Sequence, residues 1–326
     1  PLPDCEALSQ ELASLRQQFA GDVAYINPNQ KLPVSIIPRM LFGFHQIQAL
    51  RKQEDAFTLH HLYNPDPFPF PVLHWLHRPV VYTISSGLGN HSPNIAFFNS
   101  LAAVTVYDWR SFKQLEAWGL RNVHLIPPGI DTSRFTCTPL PLDSEIRVLV
   151  ASAPWTKAQF HSKGIDALLA AAKQFPKLKL ILLWRGVLED EIQQRIQRLA
   201  LEDQVQIIHE QVDVNQMLAG VHATVALAAT SQIIKAYPHS LLDSLAAGKP
   251  VIVSQAIPMA DYVAETGCGE IVATVTPTAI LNAIESLMRN YPARQRAARE
   301  VGPRDFSIER TLAAFGRLYQ QVSEKL

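Results

Sequence analysis

The sequence predicts an α/β protein of two domains, each built around a parallel sheet. Its 326 residues exceed the size of one average domain. Short apolar runs typical of buried strands alternate with runs of helical period both before and after residues 136–143. That segment has two prolines and no periodicity, as expected of a linker. Strands that alternate with helices favour parallel sheets with right-handed crossovers.

In the first half, ligand-binding loops are expected along one edge of the predicted sheet. The patterns predict helices over residues 5–19, 36–53 and 107–118 and strands over residues 22–26, 57–62, 80–84, 102–106 and 123–126. Since α/β domains usually begin with a strand, either a first strand lies upstream of Pro1 or this fold starts with a helix. Loops 63–71, 85–93 and 127–131 all follow strands and should share the carboxyl edge, where such sheets bind ligands.

The second half repeats this architecture. Strands are predicted over residues 146–151, 178–184, 205–208, 223–227 and 251–253, and helices over residues 165–173, 189–201, 214–218, 276–288, 293–301 and 305–319. One further helix is predicted to begin at His239 and to end at Gly248, because glycine accepts the left-handed conformation that terminates helices. Two such halves joined by a linker predict a cleft between domains as the ligand site.

Composition excludes several classes of protein. The chain has 29 basic and 29 acidic side chains, without the basic excess of a nucleic-acid-binding protein. Its cysteines (Cys5, Cys137 and Cys268) are scattered, which suits a reducing compartment and no metal site. No apolar run approaches the roughly 20 residues that span a bilayer. We therefore expect a cytoplasmic protein without metal or cofactor. Peripheral membrane attachment through helix 36–53 is an alternative to packing of that helix on a sheet.

The residues that carry chemistry are cationic and lie beside a predicted helix start. No Walker loop, complete dinucleotide fingerprint or nucleophile elbow is found in the sequence. A loop supplies Lys157 and Lys163, and the later helix start supplies a second group: Lys235, His239, Ser240 and Asp243. Positive charges and a helix N-terminus suit a diphosphate. A carboxylate one turn into the helix suits a ribose, so the pattern predicts a nucleoside diphosphate ligand.

Four segments together resemble a known family. They are residues 127–135 (PPGIDTSRF), 162–169 (SKGIDALL), 231–254, and the C-terminal segment with Phe306 and Leu318–Tyr319. They resemble the retaining glycosyltransferases of family 4, within glycosyl transferases group 1. The resemblance implies the GT-B fold, in which two Rossmann-like domains face each other across a cleft and a C-terminal helix crosses back to the N-terminal domain. The implied domains are residues 1–137 on the acceptor side, 138–305 for the nucleotide sugar, and 306–326 as the closing helix.

The resemblance also assigns roles to residues of the second domain. Asp243 stands where the family has the glutamate that contacts the ribose, and Lys163 matches a lysine that contacts the diphosphate. Lys157 is the cation nearest to the position of a second diphosphate ligand, an arginine in the family. Lys235 replaces a glutamate that contacts the donor sugar, which reverses the charge. The remaining donor-side candidates are His239, Ser240, Leu241, Gly129 and Arg185.

On the acceptor side, the resemblance points to Ser85 or Ser86 at the position of a family histidine. His91 follows in the same loop and is a candidate for that role, with a plain loop histidine as the alternative. Asn64 is the third acceptor-side candidate. For Asp243, Lys163 and Lys235 the alternative is a solvated side chain, and for Arg185 it is a structural ion pair.

The function implied is a metal-independent, hexosyltransferase-type reaction that moves a sugar from a nucleotide-diphosphate sugar with retention of configuration. The acceptor stays open among a saccharide, a lipid-linked sugar and a small molecule. No nucleic acid is expected as a partner, and the nucleotide sugar is a substrate rather than a cofactor. The alternative is a non-catalytic GT-B relative that acts as a binding or scaffolding subunit. The replacements at Lys235, at the diphosphate arginine and at the acceptor-side histidine favour this alternative.

Overall fold

The computed structural model describes residues 7–31, 36–184 and 188–324. The chain divides into two compact units. The first unit contains Pro1–Gly129 together with Ile308–Leu326, and the second contains Ile130–Ser307. The linker predicted over residues 136–143 therefore follows the point at which the chain enters the second unit.

The first unit is built on a parallel sheet that is covered by helices. Its elements are the helices α1 (Ala7–Phe19), α2 (Ile47–Gln53), α3 (Ile95–Asn99) and α4 (Trp109–Ala117), the strands β1 (His60–Asn64), β2 (Val80–Ile84), β3 (Ala103–Val106) and β4 (Val123–Leu125), and the C-terminal helix Ile308–Ser323, which is α12 in chain order. Within the described residues the strands follow the order β1-β2-β3-β4, all parallel. One core cluster includes Tyr82, Phe98 and Leu115, and another joins Val81 and Ala103 to α1 and α12.

Two predictions in the first unit are wrong. Residues 22–26 form no strand, because the alternating side chains of Val23 and Tyr25 are exposed and no neighbouring strand pairs with them in the described chain. The predicted helix over residues 36–53 is interrupted by Gly43, whose φ is +88°. Only Ile47–Gln53 is α-helical, after short 3-10 turns. A side chain at residue 43 would also place its Cβ 2.8 Å from Val72 Cγ1.

The second unit is larger and has the same layered architecture. Its strands are β5 (Ile146–Val150), β6 (Leu178–Leu183), β7 (Val205–Ile208), β8 (Ala223–Ala226), β9 (Val251–Ser254) and β10 (Gly269–Val272). Its helices are α5 (Lys157–Ser162), α6 (Ile165–Gln174), α7 (Glu189–Leu199), α8 (Val214–Ala219), α9 (His239–Ala246), α10 (Met259–Thr266) and α11 (Pro277–Asp305).

The strand order of this second sheet contains the reversal at which doubly wound sheets usually bind ligands. In the described residues the order is β10-β9-β8-β5-β6-β7, and all pairs are parallel. The first strand, β5, is therefore central, and the order of strands reverses between β5 and β8. That reversal is the topological switch point, where doubly wound sheets bind ligands at their carboxyl edge. The two parallel sheets confirm the predicted α/β fold with two Rossmann-like units.

Some second-unit elements differ from the predictions. Helix α5 lies within the segment predicted as a loop, and neither α10 nor β10 is predicted from the sequence. The helices predicted over residues 276–288 and 293–301 are one continuous helix, α11, which passes through Pro292. Buried residues on both sides of that proline, Leu287 and Tyr291 before it and Ala298 after it, pack along the same helix. Because this packing outweighs the loss of one backbone hydrogen bond, the helix does not end at Pro292.

Candidate functional site

Lys163 lies at the carboxyl edge of the second sheet, next to the switch point. Its Nζ donates to Ser152 Oγ at 3.3 Å and to the Ala153 carbonyl at 3.1 Å, in the loop that follows β5. The residue is only 9% exposed, and burial lowers the pKa of its ammonium group. Lys163 also lines a cavity of about 10 Å³, together with residues at the end of β8 such as Ala226. The lysine is thus a cation held mainly by neutral acceptors between β5 and β8.

The turn that carries Lys163 requires a glycine at its next residue. Gly164 has a φ of +69°, and a Cβ there would lie 2.7 Å from Val275 Cγ1 and 2.8 Å from Leu227 Cβ. The Ala229 amide donates to the Ser162 carbonyl at 2.7 Å. The turn between α5 and α6 is therefore fixed against the loop that follows β8.

Helix α9 begins at the residue that the sequence predicts, His239. The amides of Leu241 and Leu242 both donate to the Pro238 carbonyl, and the Leu241 side chain is fully buried. Because its side chain is buried, Leu241 could contact a ligand only through its backbone amide. A ligand would then compete with the Pro238 carbonyl for that amide. Gly248 has the left-handed conformation expected after the helix. Its position is crowded as well, since a Cβ there would lie 2.5 Å from Cys137 Sγ.

Asp243 is a desolvated carboxyl group on α9. It is partly buried, and burial raises its pKa to about 7, while the charge of Arg134 acts in the opposite direction. No hydrogen-bond donor of the described residues reaches its carboxylate. Arg134 belongs to the family-like segment 127–135, but the sequence alone does not connect it with Asp243. A hydroxyl-bearing ligand would supply the donors that this carboxylate lacks.

The other helix-start candidates lie close to one another. Lys235 Nζ is 3.3 Å from Nδ1 of the buried His239. Ser240, the next residue of α9, is partly buried. The structure thus brings Lys235, His239 and Ser240 together in one short stretch of chain, directly before and at the start of the helix that carries Asp243.

The Lys157 and Lys163 side chains have different partners, and no contact between them is found among the described residues. Lys157 begins α5, has a largely exposed side chain and forms an ion pair with Glu191 near the start of α7. A hydrogen bond from Lys157 is the main cause that lowers the pKa of Glu191. Gly129 is buried at the end of the first unit. Arg185 lies outside the described residues.

The acceptor-side candidates of the first unit meet at the carboxyl edge of its own sheet. Asn64 ends β1, and its carbonyl accepts from the Ser85 amide at 3.0 Å, directly after β2. The Ser86 amide donates to the Pro65 carbonyl at 3.1 Å. His91 lies further along the same loop and is exposed, and no hydrogen bond in the described chain joins it to Asn64, Ser85 or Ser86.

Neither a metal centre nor a membrane-spanning helix is found among the described residues. They contain no group of three or more His, Cys, Asp or Glu side chains placed to hold a metal ion. None of their helices is both long enough and apolar enough to cross a membrane.

The two parallel α/β sheets match the GT-B fold of solved glycosyltransferase structures. Solved structures share this fold with 14–18% sequence identity, which supports the fold alone. Anabaena Alr3699/HepE in complex with UDP matches with a TM-score of 0.70 and 17% identity over 84% of this chain and 82% of its own. Sucrose-phosphate synthase from Thermosynechococcus elongatus matches with a TM-score of 0.69 and 18% identity over 91% and 83%. A glycosyltransferase from Rickettsia africae ESF-5 matches with a TM-score of 0.70 and 14% identity over 95% and 87%.

A family match narrows this class further. Residues 156–301 match the family described as Glycosyl transferases group 1. The match includes α5, the Lys163 turn and α9, and it confirms the resemblance to group 1 that the sequence indicates. It supports the coarse interpretation of the chain as a transferase that takes a sugar from a nucleotide sugar. Comparison with curated proteins finds no match.

Proposed function

We propose that this chain is a retaining glycosyltransferase of family 4 type, which moves a hexosyl group from a nucleotide-diphosphate sugar to an acceptor without a metal ion. The observation that carries the proposal is the position of Lys163. Its buried ammonium group lies at the switch point of the second sheet, where it has neutral hydrogen-bond acceptors, within the region that matches group 1. A cytoplasmic location, without nucleic-acid partners and with at most peripheral membrane contact, belongs to the same proposal.

Lys163 would act on the leaving diphosphate. As the bond from the sugar to the diphosphate breaks, negative charge accumulates on the phosphate oxygens. A positive charge in a site already shielded from water stabilises that charge more than water-exposed lysines do. Because the acceptors of Lys163 are a hydroxyl and a carbonyl, its charge is not neutralised by a carboxylate among them. The amides at the start of α9 would add further donors to the phosphates.

Asp243 would hold the ribose, and the first unit would hold the acceptor. A carboxylate accepts hydrogen bonds from ribose hydroxyls, and its desolvated setting makes such bonds stronger. Asn64, Ser85 and Ser86 offer polar groups at the carboxyl edge of the first sheet, and His91 lies in the same loop. Retention of configuration would require the acceptor oxygen to attack from the face that the diphosphate leaves.

The second candidate function is a non-catalytic binding subunit. The observation that favours it is the ion pair of Lys157 with Glu191, because the predicted second diphosphate ligand is engaged elsewhere. Lys235, at the position of the family's sugar-binding glutamate, also carries the opposite charge.

Calorimetric titration with UDP, GDP and ADP tests the proposal. We expect one of them to bind, and Lys163→Ala to weaken its binding at least tenfold, since one charge-assisted contact to phosphate is lost. Lys173→Ala is the matched control, because this lysine is exposed on α6 and its loss should leave affinity unchanged. No binding of any of the three would exclude both nucleotide-sugar transfer and the assigned site.

A screen of nucleotide sugars then separates the enzyme from the binding subunit. Turnover of one donor, with an α- or β-linked product of the same configuration as that donor, would support retaining transfer. The same rate in the presence of a chelator would support metal independence. Tight nucleotide binding without hydrolysis or transfer of any donor would favour the non-catalytic alternative.

A further inference from the structure

Lys249 is a buried lysine without a counter-charge, at the edge of the second sheet opposite to the candidate site. It comes directly before Pro250 and β9, so it lies at the amino edge of the sheet, whereas Lys163 lies at the carboxyl edge. Its side chain is fully buried, and its Nζ forms no hydrogen bond or ion pair within the described chain. A buried ammonium group of this kind is costly to the fold, and such groups are frequent where a protein carries out chemistry.

The segment through which the chain enters the second unit brings a thiol next to Lys249. A Cβ at Gly248, the preceding residue, would lie 2.5 Å from Cys137 Sγ and 3.4 Å from Cys137 Cβ. The Thr136 amide donates to Asn215 Oδ1 of α8 at 2.9 Å, which fixes this segment. Cys137 is partly buried and has a free thiol. The thiol thus packs on the residue before Lys249, within the reach of a side chain with a four-carbon stem.

Electrostatic contacts place the thiol and the ammonium group in one cluster with His222 and Tyr291. Burial lowers the pKa of Lys249 to about 8, and an ionised Cys137 acts in the opposite direction. Burial lowers the pKa of His222, and the charge of Lys249 lowers it further. Burial raises the pKa of Tyr291 to about 12, and the charge of Cys137 adds to this effect. The rings of His222 and Tyr291 lie 5.5 Å apart, and both ring nitrogens of His222 are bonded to backbone groups, so the imidazole offers Lys249 no acceptor.

An amine and a thiol held side by side can be joined by oxidation. Hydrogen peroxide converts a thiol into a sulfenic acid, and the O–O bond breaks with release of one water. A neutral amine then attacks the sulfenic sulfur. The S–N bond forms, the S–O bond breaks, and the hydroxyl leaves with an amine proton as a second water. The protein loses two hydrogen atoms overall, and one peroxide is reduced to two waters. The lowered pKa of Lys249 favours this reaction, because it leaves a fraction of the amine neutral near neutral pH.

We propose that Cys137 and Lys249 form a redox-sensitive crosslink, in which hydrogen peroxide creates a sulfenamide bond between Sγ and Nζ. The proposal does not depend on the proposed function, because it requires no nucleotide. The bond would tie the entry segment of the second unit to the end of α9. It is reversible, because two molecules of a thiol reductant return the free thiol and amine and are themselves oxidised to a disulfide. Cys268 is a poor competitor, since it is fully buried and burial raises the pKa of its thiol to about 11.

Mass spectrometry of the peroxide-treated chain tests the crosslink. Wild type is compared with a Cys5→Ala, Cys268→Ala variant, in which Cys137 is the last thiol and no disulfide can form within the chain. In both proteins we expect a product lighter than the reduced chain by two hydrogen atoms. Peptide mapping should join the peptides of Cys137 and Lys249, and dithiothreitol should restore the original mass.

Two lysine variants in the same background identify the nitrogen. Lys249→Arg should give no crosslink, because a guanidinium group stays charged, and Cys137 should instead accumulate sulfinic or sulfonic acid. Lys177→Arg is the matched control: this lysine is exposed, directly before β6 at the same edge of the sheet, and its replacement should leave the crosslink at the wild-type yield. Equal melting temperatures of the two variants before oxidation would show that Lys249→Arg is folded.

Several outcomes would overturn the proposal. In wild type, oxidation of Cys137 to its oxyacids without the loss of two hydrogen atoms would show that the amine does not reach the sulfur. A thiol that stays reduced in peroxide would show that Cys137 is not accessible. A crosslink that persists in Lys249→Arg would assign the bond to another nitrogen. Because the peptide map of wild type alone decides the first two cases, the test does not rest on the folding of any variant.

Discussion

At the scale of single residues, the candidate site contains two ionisable groups whose pKa values burial shifts toward each other. The pKa of the Lys163 ammonium group is lowered and that of the Asp243 carboxyl group is raised to about 7, and desolvation is the main cause for both. Burial therefore disfavours the charged form of each group in the folded protein. Ionisable groups with pKa values shifted by burial are frequent at functional sites, where a bound ligand supplies hydrogen bonds and charges that the protein does not.

Asp243→Asn should make the protein more stable and bind nucleotide less well. The folded pKa of Asp243, about 7, lies above its ordinary value of 3.8. The folded state then binds more protons between about pH 4 and pH 7, so the free energy of unfolding contributed by this group falls as pH rises through that range. Above pH 7 the penalty is complete, and removing the charge should stabilise the variant by at most about 4 kcal/mol, since the pKa shift is from 3.8 to about 7.

Thermal unfolding of wild type and Asp243→Asn at pH 4 and pH 8 measures this effect. The melting temperatures should differ at pH 8 and agree at pH 4. Asp203→Asn is a matched control, because that side chain is exposed and should give no difference at either pH. Equal melting temperatures of wild type and Asp243→Asn at pH 8 would contradict the desolvation of Asp243.

Which individual polar side chains are buried is the property that the sequence predicts least well. Lys249 follows a helix-ending glycine and precedes a proline, a setting typical of an exposed turn. In the structure it is fully buried, its Nζ has no hydrogen-bond partner in the described chain, and desolvation lowers its pKa to about 8. Motif spacing indicates roles for Lys163 and Asp243, but it carries no information on Arg134, whose effect on Asp243 depends on a contact distant in sequence.

At the scale of elements, the α5–α6 turn determines where the Lys163 ammonium lies. The turn is short, buried, and hydrogen-bonded to the loop after β8. Its geometry depends on Gly164, which combines a left-handed backbone with close contacts to Leu227 and Val275. A substitution there should therefore affect both stability and ligand binding.

Gly164→Ala should destabilise the second unit by roughly 1–3 kcal/mol, because the new Cβ meets both the left-handed strain and two apolar side chains. Urea unfolding measures the loss, and titration with the nucleotide that wild type binds should show weaker affinity through displacement of Lys163. Gly220→Ala is the control: its φ is −87°, and the nearest atom to a new Cβ is the Met217 carbonyl oxygen at 3.6 Å. A Gly164→Ala protein as stable as Gly220→Ala would be evidence against this account.

Elements with an unambiguous pattern could be predicted closely from the sequence. Strands β2 and β7 match the predicted ranges 80–84 and 205–208 to the residue, because each is a compact apolar run bounded by turn residues. The failures come from competing signals. Residues 36–53 have the apolar period of a helix, although Gly43 has a left-handed backbone that interrupts it. In α11, Pro292 predicts a helix end, but packing on both sides of the proline keeps the helix continuous. A local sequence pattern does not show which side chains pack against residues that are distant in the sequence.

At the scale of the whole molecule, the first unit is built from two segments that are far apart in the sequence. Helix α12 belongs to the first unit, although the whole second unit, Ile130–Ser307, separates it from Gly129 along the chain. Phe315 and Leu318 of α12 pack with Leu15 of α1 and with Val81 and Ala103 of the sheet. The Thr311 hydroxyl donates to the Pro127 carbonyl at 3.0 Å. The stability of the first unit therefore depends on the last residues of the chain.

Phe315→Ala should weaken the first unit specifically. The ring is fully buried and lies 5.0 Å from the ring of His61, whose pKa burial lowers to about 3. Removing it creates a cavity next to a histidine that is otherwise held neutral, and losses of roughly 3–5 kcal/mol are typical of such substitutions. Hydrogen exchange followed by mass spectrometry locates the effect: amides of β2 and β3 should exchange faster, and those of β5 and β6 should not.

The matched control for this experiment is Arg317→Ala, two residues along the same helix. Arg317 is exposed, so its loss should leave exchange in both units at the wild-type rate. Faster exchange spread equally over both sheets in Phe315→Ala would contradict the assignment of α12 to the first unit. Faster exchange confined to β2 and β3 would instead show that a helix encoded after the second unit stabilises the first unit, which is proposed to hold the acceptor. Truncation of the chain after Ser307 would then remove acceptor-side structure while leaving the group 1 region intact.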